Sequence, residues 1–266
     1  MIKITNITSA KQEQAVLEVQ ENQVTHHHVV SMHFIYTHHL EIGQELPTAF
    51  YRQLVQENEY DQLYNKALHF ISYQMRTISE VKKHLGKSTS DESVIQTIVD
   101  RLKKDHYIND ATYVKEYVSE KLEYDIIGPI KIKEKLIQKG IHYDLIDSEL
   151  QRYTETLEYA KMEDFIRKDI RYTIKKPYRK YIESLKRKAI NRGFHLHVID
   201  SAIVSFKDDI LEQIDDRELL QKEYCFLRKT HDIDHYDDRQ KLIQKLLRKG
   251  FNYDRIKELL EEESPC

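Results

Sequence analysis

The chain has no tryptophan, and among its 266 residues only six glycines, four prolines and two cysteines. Each scarcity excludes something. Few glycines and prolines leave too little turn chemistry for an all-β or loop-rich fold. Two cysteines, Cys225 and Cys266, give no disulfide framework and read as free thiols. The N-terminal stretch MIKITNITSAKQEQ has no long apolar run, so neither a signal peptide nor a membrane span is expected, and the cytoplasm is the expected location. Hydrophobic residues make up only 40% while a third of the chain is charged, so the core must be thin and distributed, as in small units stacked in a row. A net charge of −3 rules out a basic nucleic-acid binder as a whole. The 18 tyrosines in place of tryptophan give many contacts a polar tip.

What is present is helical periodicity, clearest in residues 107–150. Asn109/Asp110 can cap a helix whose apolar residues Tyr113, Val114, Tyr117, Val118 and Leu122 fall at helical spacing. Gly128-Pro129 opens a second helix, with Ile132, Leu136 and Ile137 on one side, stopping at Gly140. A third begins near Asp144 and presents Leu145, Ile146, Leu150 and Tyr153. The unit recurs: KLIQKGIHYDLIDSEL (135–150) is echoed by KLLRKGFNYDRIKELL (245–260), more loosely by RKAINRGFHLHVIDSAI (187–203), and with a longer turn by ISEVKKHLGKSTSDESVIQTIVDRL (78–102).

The pattern predicts a mainly α fold of about four tandem three-helix repeats in an elongated, curved array, over 58–107, 108–155, 156–209 and 210–266. Residues 1–57 form a small β-containing segment. Its expected strands are at Ile2–Ile7, Ala15–Val19 and Val29–Tyr36, with a hairpin tip at Glu21-Asn22. LEIGQELP (40–47) reads as a strand end followed by a tight turn, and Thr48–Glu57 as a short helix. The first helix of the third repeat lies within 154–173, where no clean breaker marks its start. The last residues, EEESPC, read as a frayed tail.

Nothing argues for catalysis, a cofactor or a metal. Gly86-Lys87-Ser88 lacks the glycine that a phosphate loop needs five positions earlier, where Val81 stands, and it ends a helix. His26-His27-His28 and His38-His39 have no matching Cys or carboxylate, and neighbouring strand histidines point to opposite faces. His231/His235 sit in an Asp-rich breaker, and Asp215-Asp216 reads as solvated charge.

The run Ile108-Asn109-Asp110, Tyr113-Val114, Gly128-Pro129, Ile132, Leu136, Lys139-Gly140-Ile141 and Ile146 resembles the central motif of bacterial RecX proteins, regulators of the RecA recombinase. The likeness covers roughly residues 60–266. It departs in repeat 1, which lacks the Lys-Gly stop, and in repeat 3, where His195-Leu196-His197 replaces the Tyr-Asp pattern. Tyr107, Tyr113 and Tyr117 match the family motif and read as core. The resemblance implies a non-enzymatic protein that binds the helical groove of the RecA–single-stranded DNA filament; a monomer is expected. There it would restrain recombinase, ATPase and co-protease activity in DNA repair, recombination and the SOS response.

One pattern above the ordinary supports a contact surface: the second helices are basic. Segment 128–140 has four lysines against Glu134, 175–193 has eight basic residues against Glu183, and 237–250 has five against Asp237 and Asp238. If the repeats stack alike, these helices form a ribbon suited to a polyanion or an acidic groove. Its candidates are Lys131, Lys133, Lys135, Lys139, Arg179, Lys180, Lys186, Arg187, Lys188, Arg192, Lys241, Lys245, Arg248 and Lys249. The alternative function is a direct DNA-binding module that competes with the recombinase for single-stranded DNA; a plain helical scaffold for another partner is the third reading.

Overall fold

The computed structural model describes residues 2–10, 13–230 and 235–261. The expectations for His231, Cys266 and the tail from Glu262 onward lie outside the described residues. The chain divides into two compact units, Met1–Tyr113 and Val114–Cys266.

Unit 1 opens with an antiparallel sheet in the order β3-β2-β1-β4, formed by β1 (Ile2–Ser9), β2 (Gln14–Glu21), β3 (Val24–Ser31) and β4 (Glu45–Leu46). Ile2, Ile4, Ala15, Leu17, Val19 and Val30 alternate onto the buried face. The hairpin tip is Asn22-Gln23, one residue later than expected, with φ of 47° and 73°. Two left-handed residues give the turn whose twist matches the strands it joins.

The expected strand through Tyr36 stops at Ser31. The Ser31 hydroxyl accepts from Phe34 N at 3.0 Å, and that cap starts α1 (Met32–Thr37) in a β-rich stretch. The order in LEIGQELP is also reversed, since the turn at Gly43 precedes strand β4. The short helix expected at Thr48–Glu57 is instead α2 (Thr48–Ser72), 25 residues long. No glycine or proline stands between Pro47 and Gly86, so none interrupts the helix at Glu57. Its Asn58 and Gln62 amides donate to Val29 O at 3.1 and 2.6 Å, tying the helix to the outer strand of the sheet.

Four helical triplets follow. The first pairs the end of α2 with α3 (Ile78–Leu85) and α4 (Glu92–Lys104). Helix α3 carries a full capping box, Thr77 with Glu80. The second comprises α5 (Asp110–Tyr124), α6 (Pro129–Gln138) and α7 (Tyr143–Leu150). The third comprises α8 (Glu155–Asp169), α9 (Tyr178–Asn191) and α10 (Leu196–Ser205). Its start is set by Thr154, whose hydroxyl accepts from Leu157 N at 3.3 Å. A short α11 (Lys207–Gln213) leads to α12 (Arg217–Arg228), α13 (Tyr236–Lys249) and α14 (Tyr253–Glu261).

Counted from the glycines that end the second helices, the core of the last three triplets is in register. Ile132, Leu185 and Leu242 are fully buried, as are Leu136, Ala189 and Leu246, then Ile146, Ile199 and Ile256. Gly140, Gly193 and Gly250 all adopt left-handed φ, of 79°, 84° and 98°.

Several expected core or surface assignments change. Tyr107 is 57% exposed, and Ile137 and Leu145 are exposed too. Asp216 is only 2% exposed, buried against Arg255 instead of solvated. Cys225 is joined in a disulfide, not a free thiol.

Two stability predictions follow from this geometry. A Cβ at Gly193 would lie 2.2 Å from Lys131 N, whereas one at Gly43 meets nothing within 4 Å although φ is +90°. Gly193→Ala is expected to cost more than about 2 kcal/mol in urea unfolding and Gly43→Ala about 1 kcal/mol, the left-handed penalty alone. Equal losses would show that the close approach contributes nothing.

The second concerns His28, whose ring nitrogen lies 2.8 Å from the Tyr51 hydroxyl. Burial, then neighbouring His26, lowers its pKa below the ordinary 6.5, and burial lowers that of His84 likewise. The unfolded chain then takes up protons at a higher pH than the folded one. Stability is full above pH 6.5 and falls as the pH drops from there toward the lowered values. Melting temperatures from pH 7.5 to 5 test this, and His28→Gln should flatten part of the slope.

Candidate interface on the basic second helices

Helices α6, α9 and α13 meet end to end. Gly128 N and Ile130 N, at the start of α6, donate to Arg192 O and Gly193 O at the end of α9, at 2.8 and 3.1 Å. The free N–H groups of one helix thus satisfy the free carbonyls of another, and the positive and negative ends of their dipoles face each other. A Cβ on Gly128 would sit 2.1 Å from Gly193 O, so the contact requires glycine on both sides. The end of α13 meets the first turn of α9 in the same sense. A Cβ on Gly250 would lie 3.2 Å from Arg179 Cβ and 3.5 Å from Lys180 N.

The end contacts join the helices that carry the sequence-predicted basic residues, and these residues differ in what their charges already do. Lys131 pairs with Glu134 at 3.0 Å and Lys133 with Asp147 at 2.5 Å. Lys180 and Arg179 share Glu183, at 3.2 and 3.4 Å, and Lys180 above all holds its carboxyl below the ordinary range. Lys186 pairs with Asp200 and Lys188 with Asp169, each at 2.6 Å. Lys241 pairs with Asp238 at 3.0 Å and Lys249 with Glu223. Lys139 and Lys245 are also engaged. Exposed pairs of this kind are worth at most about 1 kcal/mol each, so a dense run of ligand anions can displace the acids.

Arg192 is set apart by its place in the fold. Its guanidinium donates to Ile126 O at 2.9 Å and lies 5.0 Å from the centre of the Phe165 ring. It lies at the α6–α9 junction, exposed but bonded to the backbone of the loop preceding α6. Lys135, Arg187 and Arg248 are exposed and have no ion-pair partner among the described residues. They are the charges most available to a ligand.

The packing also uses buried polar groups that sequence reasoning missed. Glu158, 3% exposed, accepts from His195 N at 2.7 Å and lies 2.9 Å from His195 Nδ1 at the start of α10. One turn along α8, Lys161 Nζ donates to Asp125 O at 2.7 Å, just past the end of α5, and burial lowers its pKa. Arg255 donates to Asp216 and to Ile214 O, the latter at 3.0 Å. Asp110 accepts from Ile78 N at 2.9 Å, and its burial raises its pKa. Only that last one had a signal in the sequence, the Asn109-Asp110 cap. Among the described residues no group of three or more His, Cys, Asp or Glu side chains is placed to hold a metal ion, and no helix is long and apolar enough to cross a membrane.

Comparison with known proteins agrees with this architecture. Residues 64–102 match the family description "RecX, first three-helix domain" and residues 215–260 "RecX, third three-helix domain". A regulatory protein RecX from Streptococcus agalactiae serotype V is 34% identical over 201 residues, covering 74% of this chain and 76% of the relative. One from Streptococcus gordonii is 30% identical over 270 residues, 98% of this chain and 99% of the relative. One from Oceanobacillus iheyensis is 27% identical over 275 residues, 98% of each. A crystal structure of regulatory protein RecX superposes with a TM-score of 0.55 at 23% identity, covering 78% of this chain and all of that one, which shows a shared fold. With 30% identity over nearly the full length of one relative and matches to two of the family's three-helix domains, the chain belongs to the RecX family of regulatory proteins.

Proposed function

We propose that this protein binds the RecA–single-stranded DNA filament along its helical groove, as a monomer in the cytoplasm, and lowers the recombinase, ATPase and co-protease activities of the filament. The observation that supports the reading is the end-to-end joining of α6, α9 and α13, the three helices that carry the basic side chains. A row of similar contacts suits a partner that is itself a row of similar subunits and phosphates. Weak contacts then add by avidity without any one being strong. Net charge near zero keeps the whole protein from binding DNA indiscriminately, while the local basic surface supplies attraction where the fit is right.

A second reading, competition for single-stranded DNA itself, is favoured by the three exposed basic residues Lys135, Arg187 and Arg248, which have no ion pair to break among the described residues. It predicts binding to naked DNA that falls steeply with salt and does not depend on RecA.

The test adds the protein substoichiometrically to preformed filaments and follows DNA-dependent ATP hydrolysis. Loss of hydrolysis at low ratios is expected. The triple variant Lys135→Glu, Arg187→Glu, Arg248→Glu should lose potency about ten-fold or more with unchanged circular dichroism, since each phosphate contact carries part of the affinity. Full potency in the triple variant would refute the basic surface. No effect on filaments alongside tight binding to naked DNA would move the reading to competition.

A further inference from the structure

Outside this surface, unit 1 has a small pocket where two connections meet, the one between α2 and α3 and the one between α4 and α5. Its volume is about 180 Å³, and Met75, Arg76, His106, Tyr107, Asn109 and Thr112 line it, with buried Ile108 beneath.

Three features of its wall are unusual for a purely structural crossing. His106 ends α4 in the left-handed region, at φ 60°, where this chain uses glycine at the ends of α6, α9 and α13. A non-glycine residue there costs about 1 kcal/mol or more, and such costs gather at functional sites. Next, Tyr107 N donates to Leu102 O at 2.9 Å and His106 N to Lys103 O at 3.0 Å, a helix end whose following apolar side chain normally folds back onto the helix. Tyr107 does not: it is 57% exposed, with Met75 at 51% on the other connection. Lastly, the Arg76 guanidinium lies 4.2 Å from the centre of the Phe70 ring, and its buried Nε has no hydrogen-bond partner among the described residues. Gln74, with its amide oxygen turned toward Arg76, accepts from both terminal nitrogens.

The polar groups of the pocket favour donors. The Asn109 side-chain oxygen is used on Ala111 N and Thr112 N, at 2.9 and 3.3 Å, so its amide N–H groups remain. Asp110 is turned to Ile78 N and does not line the pocket. A phosphate or an acidic side chain would leave the exposed Tyr107 ring and Met75 unused. A flat, uncharged ring with carbonyl acceptors uses both walls and donors.

We propose that this pocket receives one unstacked base of single-stranded nucleic acid, with the Tyr107 ring stacked on its face and Arg76, Asn109 and Thr112 donating to its carbonyl oxygens. The site uses none of the residues of α6, α9 or α13, so it and the filament-groove reading fail separately. Stacking on an aromatic side chain makes base recognition tolerant of sequence.

The experiment measures fluorescence anisotropy of labelled oligodeoxythymidylate and of an abasic oligomer of equal length at one low salt concentration. The wild type should bind the thymidylate about five-fold or more tighter than the abasic chain. Tyr107→Ala should erase that preference and Tyr107→Phe should keep it, both with unchanged melting temperature because the ring is exposed. The triple variant of Lys135, Arg187 and Arg248 should weaken binding to both oligomers and leave the preference in place. Equal binding of the two oligomers by the wild type, no binding of either, or a preference that survives Tyr107→Ala would overturn the proposal. Loss of filament inhibition in Tyr107→Ala with its base preference intact would assign the pocket to a protein partner instead.

Discussion

The interaction on which the second unit depends is the contact between Gly128 and Gly193. Two hydrogen bonds join the start of α6 to the end of α9, and the backbones come so close that neither glycine can carry a side chain. The contact exists because both helices stop in the right way. Gly193 turns the chain left-handed, leaving the last carbonyls of α9 free to accept, and Pro129 gives α6 a preformed first turn with its N–H groups free to donate. Arg192 then covers the junction from the side, bonded to Ile126 O. A small core gains little from area alone, so such backbone joints do much of the work of fixing one repeat to the next.

Buried polar residues do the same job at the other helix ends. Lys161 reaches the carbonyl just past α5, and Glu158, three residues earlier on the same helix, accepts from the backbone N–H of His195, the residue that precedes α10. A cation at a C-terminus and an anion at an N-terminus are the favourable choices for helix dipoles. Burial strengthens the bonds and raises the penalty for breaking them. Asp216 with Arg255 and Asp110 with Ile78 N follow the same logic. In a chain with a third of its residues charged, a few charges therefore act as structural fasteners while the rest stay at the surface.

The triplets were legible in the sequence because their signals are local. Periodic Ile and Leu positions, Gly140, Gly193 and Gly250 as stops, and Pro129 and Pro177 as starts each act within a few residues. Part of what escaped depends on contacts far apart in the chain. No local signal separates Asp216, buried against Arg255 39 residues away, from a solvated aspartate. Tyr107 sits in a motif that reads as core, yet the left-handed turn at His106 aims it outward. The sheet was half legible. Alternation marked β1 and β2, but a single capping hydroxyl on Ser31 outweighed the β propensity of Met32–Thr37. That α2 runs past Glu57 could have been read from the absence of any glycine or proline there, although its end at Ser72 has no such mark.

The candidate basic residues were legible as a composition bias, but their ranking was not, because it depends on where the acids fall. Glu183, Asp200, Asp169 and Glu223 come from neighbouring turns or from other helices, and each holds a lysine or arginine of the second helices. This pairing bears on any polyanion that docks. Glu183 and Asp200 are exposed and would return to water at little cost, whereas Asp169 and Glu223 are half-buried and hold their lysines more firmly. In the proposed contact, Lys135, Arg187 and Arg248 would make the first attraction, and the paired residues would join only where a ligand lay close enough along the joined helices to compete with the acids. Selectivity then comes from the length and fit of the contact, not from net charge, which is slightly negative.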